Sequence, residues 1–344
     1  MEFIRVEDCC EILDSQRKPV IESERVPGMY PYYGANGIQG TINQYIFNDK
    51  LVLVAEDGGH FGSKIKPIAY LVNGKCWVNN HAHVLRAKKG FLAEYICYSL
   101  MFYKVEGYIN GATRQKLTQA ALRKLIIPKR SLEYQKAIVD RLDLVKCIIE
   151  KKQNIINELD LLIKSRFVEL FGDVVLNTLN WPLVKLSAIA EYRIGLTYKP
   201  EAVSSSGIAV LRSGNIQNSQ LCYEDTIYVN SKVDPKLLLK KNDILMCARN
   251  GSQSLVGKVA LIENDISNTT YGAFMMAISS KYYVYLFEYF RSQAFRRLIS
   301  VGSTTTINQV TTRMLNSIVI PLPDLDTINR FALYHSQINK LKFA

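Results

Sequence analysis

No two of the ten prolines in this 344-residue chain are adjacent, so the Pro-Pro core of an adenine methyltransferase motif is missing. None of the 19 glycines belongs to a loop with the spacing that carries a phosphate or dinucleotide from a strand into a helix. The nearest lookalike, residues 251–259 (GSQSLVGKV), has five residues between its glycines instead of four. It also has valine where Ser or Thr must reach magnesium. The seven cysteines form no C-x-x-C pair and no zinc spacing, and they read as reduced packing residues. No apolar run approaches membrane-spanning length, and the chain opens with charge (MEFIR). No membrane segment and no signal peptide are therefore expected, and the expected location is cytoplasmic. His81 and His83 could share one face of a strand and, with His60, suggest a metal. Without a clear carboxylate partner in sequence, structural roles are the preferred reading and no metal is expected. No Ser/His/Asp or Cys/His set stands out, so no catalytic residue and no cofactor are expected in this chain.

What the chain does have is a long helix in its middle. Between 131 and 171 there is neither proline nor glycine. Ile138, Leu142, Val145, Ile149, Ile156, Leu159, Ile163 and Leu170 recur in steps of four and three, interrupted by Lys152 and Arg166. That is the seam of a coiled coil, which needs a partner within the chain or beyond it. Leu144, Ile148, Ile155 and Leu162 widen the apolar face. About 40 residues at ~1.5 Å each make a rod of roughly 60 Å, stopped by Gly172 at a C-cap position.

The net charge of +12 is divided evenly. Residues 1–130 carry 18 Lys/Arg against 12 Asp/Glu, residues 131–172 carry seven against seven, and residues 173–344 again carry 18 against 12. Excess positive charge is the footprint of a polyanion binder. The two basic lobes read as copies. Residues 6–13 (VEDCCEIL) resemble 185–192 (KLSAIAEY), and 34–40 (GANGIQG) resemble 212–218 (RSGNIQN). Residues 51–58 (LVLVAEDG) resemble 244–251 (ILMCARNG), and 80–85 (NHAHVL) parallel 271–276 (YGAFMM). Residues 117–128 (LTQAALRKLIIP) match 310–321 (VTTRMLNSIVIP) at an offset of 193. Each lobe is expected to be an α+β unit of short strands, an amphipathic helix and a closing strand that ends at proline. Tyr95, Tyr98 and Tyr103 read as core. The boundaries expected are 1–130 for the first lobe, 131–172 for the helix, 173–323 for the second lobe and 324–344 for a short final helix.

The order of lobe, long helix, lobe and short helix resembles the specificity subunits of type I restriction–modification enzymes. The residues that carry the likeness are 111–128 (GATRQKLTQAALRKLIIP), 302–323 (GSTTTINQVTTRMLNSIVIPLP), the VEDCCEIL opening, LFGD at 170–173 and WPLVKL at 181–186. The resemblance implies two homologous target recognition domains separated by a coiled-coil helix, each reading one half of a split sequence in double-stranded DNA. It implies that the helix sets the half-site spacing and docks two modification subunits. Those subunits would hold S-adenosylmethionine and methylate adenine, and restriction subunits would complete the cleaving complex. The departure from the pattern is the short final helix, which leaves the closing of the coiled coil to another subunit or undone. The alternative is a coiled-coil structural protein whose lobes bind protein, distinguished by the absence of salt-dependent DNA affinity.

Polar loops between ordered elements are where recognition sits, and Asn, Gln, Arg and Thr suit base edges while Lys suits phosphates. The candidates in the first lobe are Thr113, Arg114, Gln115 and Lys116, against Thr304, Thr305, Thr306, Asn308 and Gln309 in the second. A second pair of loops brings His60 and Lys64, after Glu56 and Asp57, against Arg249, Asn250, Ser252 and Gln253. A third pairs Tyr33 and Asn36 with Arg212 and Asn215. Turn formation is the competing reading for each of them.

Overall fold

The computed structural model describes residues 2–111, 115–301 and 309–342. The chain divides into two compact units, Met1–Lys151 and Lys152–Ala344, with the division inside one helix.

The first unit runs through β1 (Phe3–Arg5), α1 (Val6–Cys9), β2 (Cys10–Ile12), β3 (Tyr30–Gly34), β4 (Gly37–Ile42), β5 (Phe47–Ala55), β6 (Ala69–Val78) and β7 (Ala82–Ala87). It continues through α2 (Ala93–Leu100), β8 (Ile109–Asn110), β9 (Lys116–Leu117), α3 (Gln119–Lys124) and β10 (Ile126–Pro128). Six strands form one sheet in the order β2-β7-β5-β6-β3-β4, and β3 runs parallel to β6. At its centre, Leu51 to Ala55 are wholly buried, the unbroken apolar run of a strand covered on both faces. The two-residue period of a strand sends Val52 and Val54 under α2, and Leu51 and Leu53 into the opposite layer. Each such side chain contributes about 1.5–3 kcal/mol. β1 and β10 pair antiparallel and bring the two ends of the unit together.

Next comes α4 (Leu132–Phe171), a single helix of 40 residues. The second unit then has β11 (Leu183–Lys185), β12 (Glu191–Ile194), β13 (Val203–Ser204), β14 (Ile208–Leu211), β15 (Ile216–Gln217), β16 (Gln220–Leu221), β17 (Ile227–Val229), β18 (Ile244–Cys247) and β19 (Val259–Leu261). Following these are β20 (Thr269–Tyr271), β21 (Met275–Ser279), α5 (Tyr283–Arg291), α6 (Gln293–Val301), α7 (Thr312–Ser317), β22 (Val319–Pro321) and α8 (Leu325–Lys342).

The duplication holds at the level of individual hydrogen bonds. The order β12-β21-β18-β19 repeats β2-β7-β5-β6, and β11 pairs with β22 as β1 does with β10. Thr118 and Thr311 are N-caps whose hydroxyls accept the N–H of Ala121 and Met314, each at 3.2 Å. Tyr95 on α2 donates to the Pro128 carbonyl at 2.8 Å, and Tyr285 on α5 donates to that of Pro321 at 2.5 Å. The sheets differ where one strand gives way to two. The ten-residue β6 is answered by two three-residue strands, because the polar segment 263–268 interrupts the second copy and Asn268 takes φ +48°.

The helix α4 ends where Gly172, at φ +70°, donates to the Val168 carbonyl at 2.8 Å, a left-handed cap that favours glycine. Its first turns are held by Gln135, fully buried. Its amide oxygen accepts from Leu92 N–H (2.9 Å), and its amide nitrogen donates to the carbonyls of Gly90 (3.0 Å) and Arg130 (2.9 Å). Ile138 and Val139 join the first unit's core. At the other end Ile163, Phe167 and Phe171 are buried in the second unit's core with Phe331 of α8, and Leu159 packs against them. Within the chain the seam is covered only at its two ends. Leu142, Val145 and Ile149 are exposed, and Ile156 is half-buried. The reach of α8 explains this: its last residue, Lys342, bonds Asp160 at 2.8 Å. Among the described residues no helix is long and apolar enough to cross a membrane.

Candidate DNA interface

Three loops distant in sequence meet at one edge of each unit. In the first, Leu117 donates to the Glu56 carbonyl at 2.7 Å, which lays β9 along the loop that follows β5. Asp57 and Lys116 form a bridge there. Asn36, in the turn after β3, donates its amide to the Gly58 carbonyl at 2.9 Å. In the second unit Val310 donates to the Ala248 carbonyl at 2.7 Å, Arg249 bridges to Gln309, and Asn250 donates to the Ser213 hydroxyl at 3.1 Å. The two edges are thus built by equivalent contacts.

These contacts also correct two alignments. Glu56 and Ala248 make the same pair of bonds, so the pairing of 51–58 with 244–251 is out by one position. Glu56 donates to the His81 carbonyl and Ala248 to the Phe274 carbonyl, each at 2.9 Å. His81, not His83, is therefore the counterpart of Phe274. The gapless pairing of 80–85 with 271–276 is out by two positions, since the loops leading into the two strands differ in length.

Among the candidates, Asn36, Lys64, Gln115, Lys116, Arg212, Arg249, Ser252 and Gln253 are exposed. His60, Asn250 and Gln309 are half-buried. Half-buried Tyr33 lies 5.9 Å from the Tyr70 ring, and burial raises its hydroxyl pKa. Asn215 is a correction. It is buried, its oxygen accepts from Arg212 N–H at 2.8 Å, and its amide donates to the Cys222 carbonyl at 2.8 Å and to the Thr226 hydroxyl at 3.3 Å. Such an asparagine shapes the loop and offers no edge to a base. Thr113, Arg114, Thr304, Thr305, Thr306 and Asn308 lie outside the described residues.

Beneath the first unit's edge lies a buried ionic hub. His83 is fully buried. Its Nδ1 meets Asp14 Oδ2 at 2.6 Å and its Nε2 meets the Leu117 carbonyl at 2.8 Å. Asp14 also accepts from Val84 N–H (2.9 Å) and from the Gln119 amide (3.0 Å). Burial disfavours the Asp14 carboxylate, but His83, the Val84 N–H and Gln119 outweigh it and hold its pKa below the usual carboxylate value. Arg17 bridges Asp14 (3.5 Å) to Glu56 (2.6 Å), and Lys116 meets Glu56 at 3.0 Å. The expected free basic contact at Lys116 is thus paired with a carboxylate. Asp14, Glu56 and His83 offer three metal-ligand atoms within 4.8 Å of one another. Both nitrogens of His83 are already engaged, however, and Arg17 and Lys116 supply the cationic charge. No comparable hub underlies the second edge among its described residues, where Met246, Ala248, Met276 and Val310 pack as apolar core.

The profile of the Type I restriction modification DNA specificity domain matches residues 1–161 and again 179–337. The chain belongs to this family. Each unit is one of its DNA specificity domains, and each carries its own three-loop edge. A type I restriction enzyme specificity subunit of Haemophilus influenzae is 36% identical over 143 residues, covering 42% of this chain and 37% of its own length. The MjaVIII specificity subunit of Methanocaldococcus jannaschii is 22% identical over 94% of this chain and 83% of its own. The crystal structure of the type I restriction–modification S subunit from M. genitalium has the same fold. Its TM-score is 0.59 at 15% identity, over 99% of this chain and 90% of that one.

Asp14, Arg17 and Gln119 gave no signal in the sequence. They come from positions up to 105 residues apart, and no local pattern joins them. The one available hint, His83 on an apolar strand, reads equally well as an ordinary buried histidine.

Proposed function

We propose that this chain is a non-catalytic, DNA-binding specificity subunit that recognises a split target, one half-site per specificity domain. The observation that supports this most strongly is the pair of equivalent edges whose exposed side chains differ. The first presents Asn36, Lys64, Gln115 and Lys116, and the second Arg212, Arg249, Ser252 and Gln253. A shared scaffold with divergent loops is how one fold reads two sequences. Lysine and arginine would hold phosphates, and the amide, hydroxyl and guanidinium groups would read base edges. The α4 helix, of fixed length, would set the spacing between half-sites, and its exposed Leu142, Val145 and Ile149 would dock two modification subunits. Those partners, not this chain, would bind S-adenosylmethionine and methylate adenine in the cytoplasm, and restriction subunits would join them.

The test is adenine methylation across a host genome when the chain is co-expressed with the modification subunit encoded beside it. Methylation at a split motif, lost when the chain is omitted, is the expected result. A stable complex that methylates nothing would overturn the recognition role. Absence of salt-dependent DNA affinity would favour the protein-scaffold reading.

A further inference from the structure

One residue of the second edge is unlike its neighbours. Between β20 and β21 the chain reverses within four residues, Met275 donating its N–H to the Gly272 carbonyl at 2.8 Å. Phe274 sits at the tip of this turn with 59% of its surface exposed. Turn tips favour Gly, Asn, Asp and Ser, each for a conformational reason, and phenylalanine is not among them. The turn is firmly held all the same. The Phe274 carbonyl accepts from the N–H of Ala248 (2.9 Å) and of Arg249 (3.0 Å), which ties it to the loop after β18. The Arg249 guanidinium stands 5.9 Å from the centre of the ring. Arg212 flanks the same turn, its Cγ lying 3.8 Å from where a Cβ on Gly272 would be. At the matching place in the first unit stands His81, paired with Asp57 at 2.6 Å. One edge offers an anchored apolar ring beside the Arg249 guanidinium where the other offers a polar histidine next to an aspartate.

We propose that Phe274 contacts a base of the second half-site, its ring seated against the apolar surface of a nucleobase beside the charge contact of Arg249. This rests on the reading of the three-loop edge as DNA-facing. An apolar base surface comes from two sources, the 5-methyl group of thymine or the face of an unstacked base. Leaving the ring exposed in the free protein and covering it on the DNA makes it a selective contact. His81, 2.6 Å from Asp57, presents a polar ring in place of the apolar one, so the two domains differ in preference for this reason as well as in charge.

The test uses the full chain with its modification subunits, on duplexes carrying the motif found by methylation mapping. Affinity is measured with both half-sites intact and with either one scrambled. Phe274→Ala is expected to weaken binding on the order of tenfold, with the loss vanishing once the second half-site is scrambled. Phe274→Leu keeps a methyl contact and loses stacking. Deoxyuridine in place of thymine that weakens only wild type and Phe274→Leu assigns the methyl group. A rise in 2-aminopurine fluorescence seen with wild type and absent from both variants assigns the base face. If wild type discriminates intact from scrambled duplexes but Phe274→Ala binds them all equally well as wild type, the Phe274 contact is refuted and the edge stands. If wild type does not discriminate, the DNA-facing reading itself fails, and this contact with it.

Discussion

Replacing Asp14 with alanine removes the acceptor at the centre of the first unit's hub. Val84 N–H and the Nδ1 of His83 would lose their partner inside the protein, Gln119 would lose a bond, and Arg17 one of its two carboxylates. An unsatisfied buried donor costs about 1–3 kcal/mol, and removing one partner of a buried ion pair costs about 3–5 kcal/mol. The two figures describe overlapping losses and do not add. The expected loss is therefore about 3–5 kcal/mol, a large share of the ~5–15 kcal/mol that holds a domain together. Asp14→Asn keeps the shape and an oxygen for Val84 but turns an amide donor toward other donors, so about half that loss is expected. Hydrogen exchange on the full chain reads this directly: the amides of Val84 and Leu117 should lose protection while those of Leu245 and Val310 keep theirs. In the complex, discrimination at the first half-site should weaken and that at the second persist, because the hub sets the path of β9. A loss under about 1 kcal/mol at Val84 and Leu117, or an equal loss in both units, would refute the hub as the support of that edge.

The hub also fixes a pH response. Asp14 has a lower pKa folded than unfolded, so its contribution is fully present above the unfolded value, near 4, and is lost as pH falls through the folded value; acid titration of Val84 exchange should show this, and Asp14→Asn should abolish it. Thr118→Ala and Thr311→Ala remove N-caps of the same 3.2 Å geometry and should each cost about 1 kcal/mol by urea denaturation; unequal effects would mean that the two repeats are not energetically equivalent. Phe331 is fully buried and lies 5.6 Å from the Phe167 ring and 5.3 Å from that of Phe171. Phe331→Ala should cost about 3–5 kcal/mol and expose α8 to limited proteolysis, whereas a resistant α8 would show that the ring cluster does not hold it. Inserting four residues, about one helical turn, after Glu150 falls in the exposed part of α4 and should change the spacer length of the methylated motif; an unchanged spacer would end the ruler role.

The sequence by itself determined what depends on local pattern or on repetition. Forty residues without proline or glycine dictate one helix, and the offset of 193 places α3 against α7 and β10 against β22. An unbroken apolar run makes Leu51 to Val54 a buried strand, and the four-and-three spacing puts Ile163 on the apolar face of its helix. Tertiary structure alone decided what depends on convergence. Nothing near Asp14 announces that His83 and Gln119 will close on it, since those contacts exist only once β2, β7 and α3 have packed. Nothing in the residues around Asn215 separates a buried loop-former from an exposed reader, because the same amide serves either end. The apolar stripe of α4 runs most of its length in sequence, broken only at Lys152 and Arg166, yet only its ends are covered. Periodicity records which face is apolar, whereas the reach of the neighbouring elements decides how much of that face is buried.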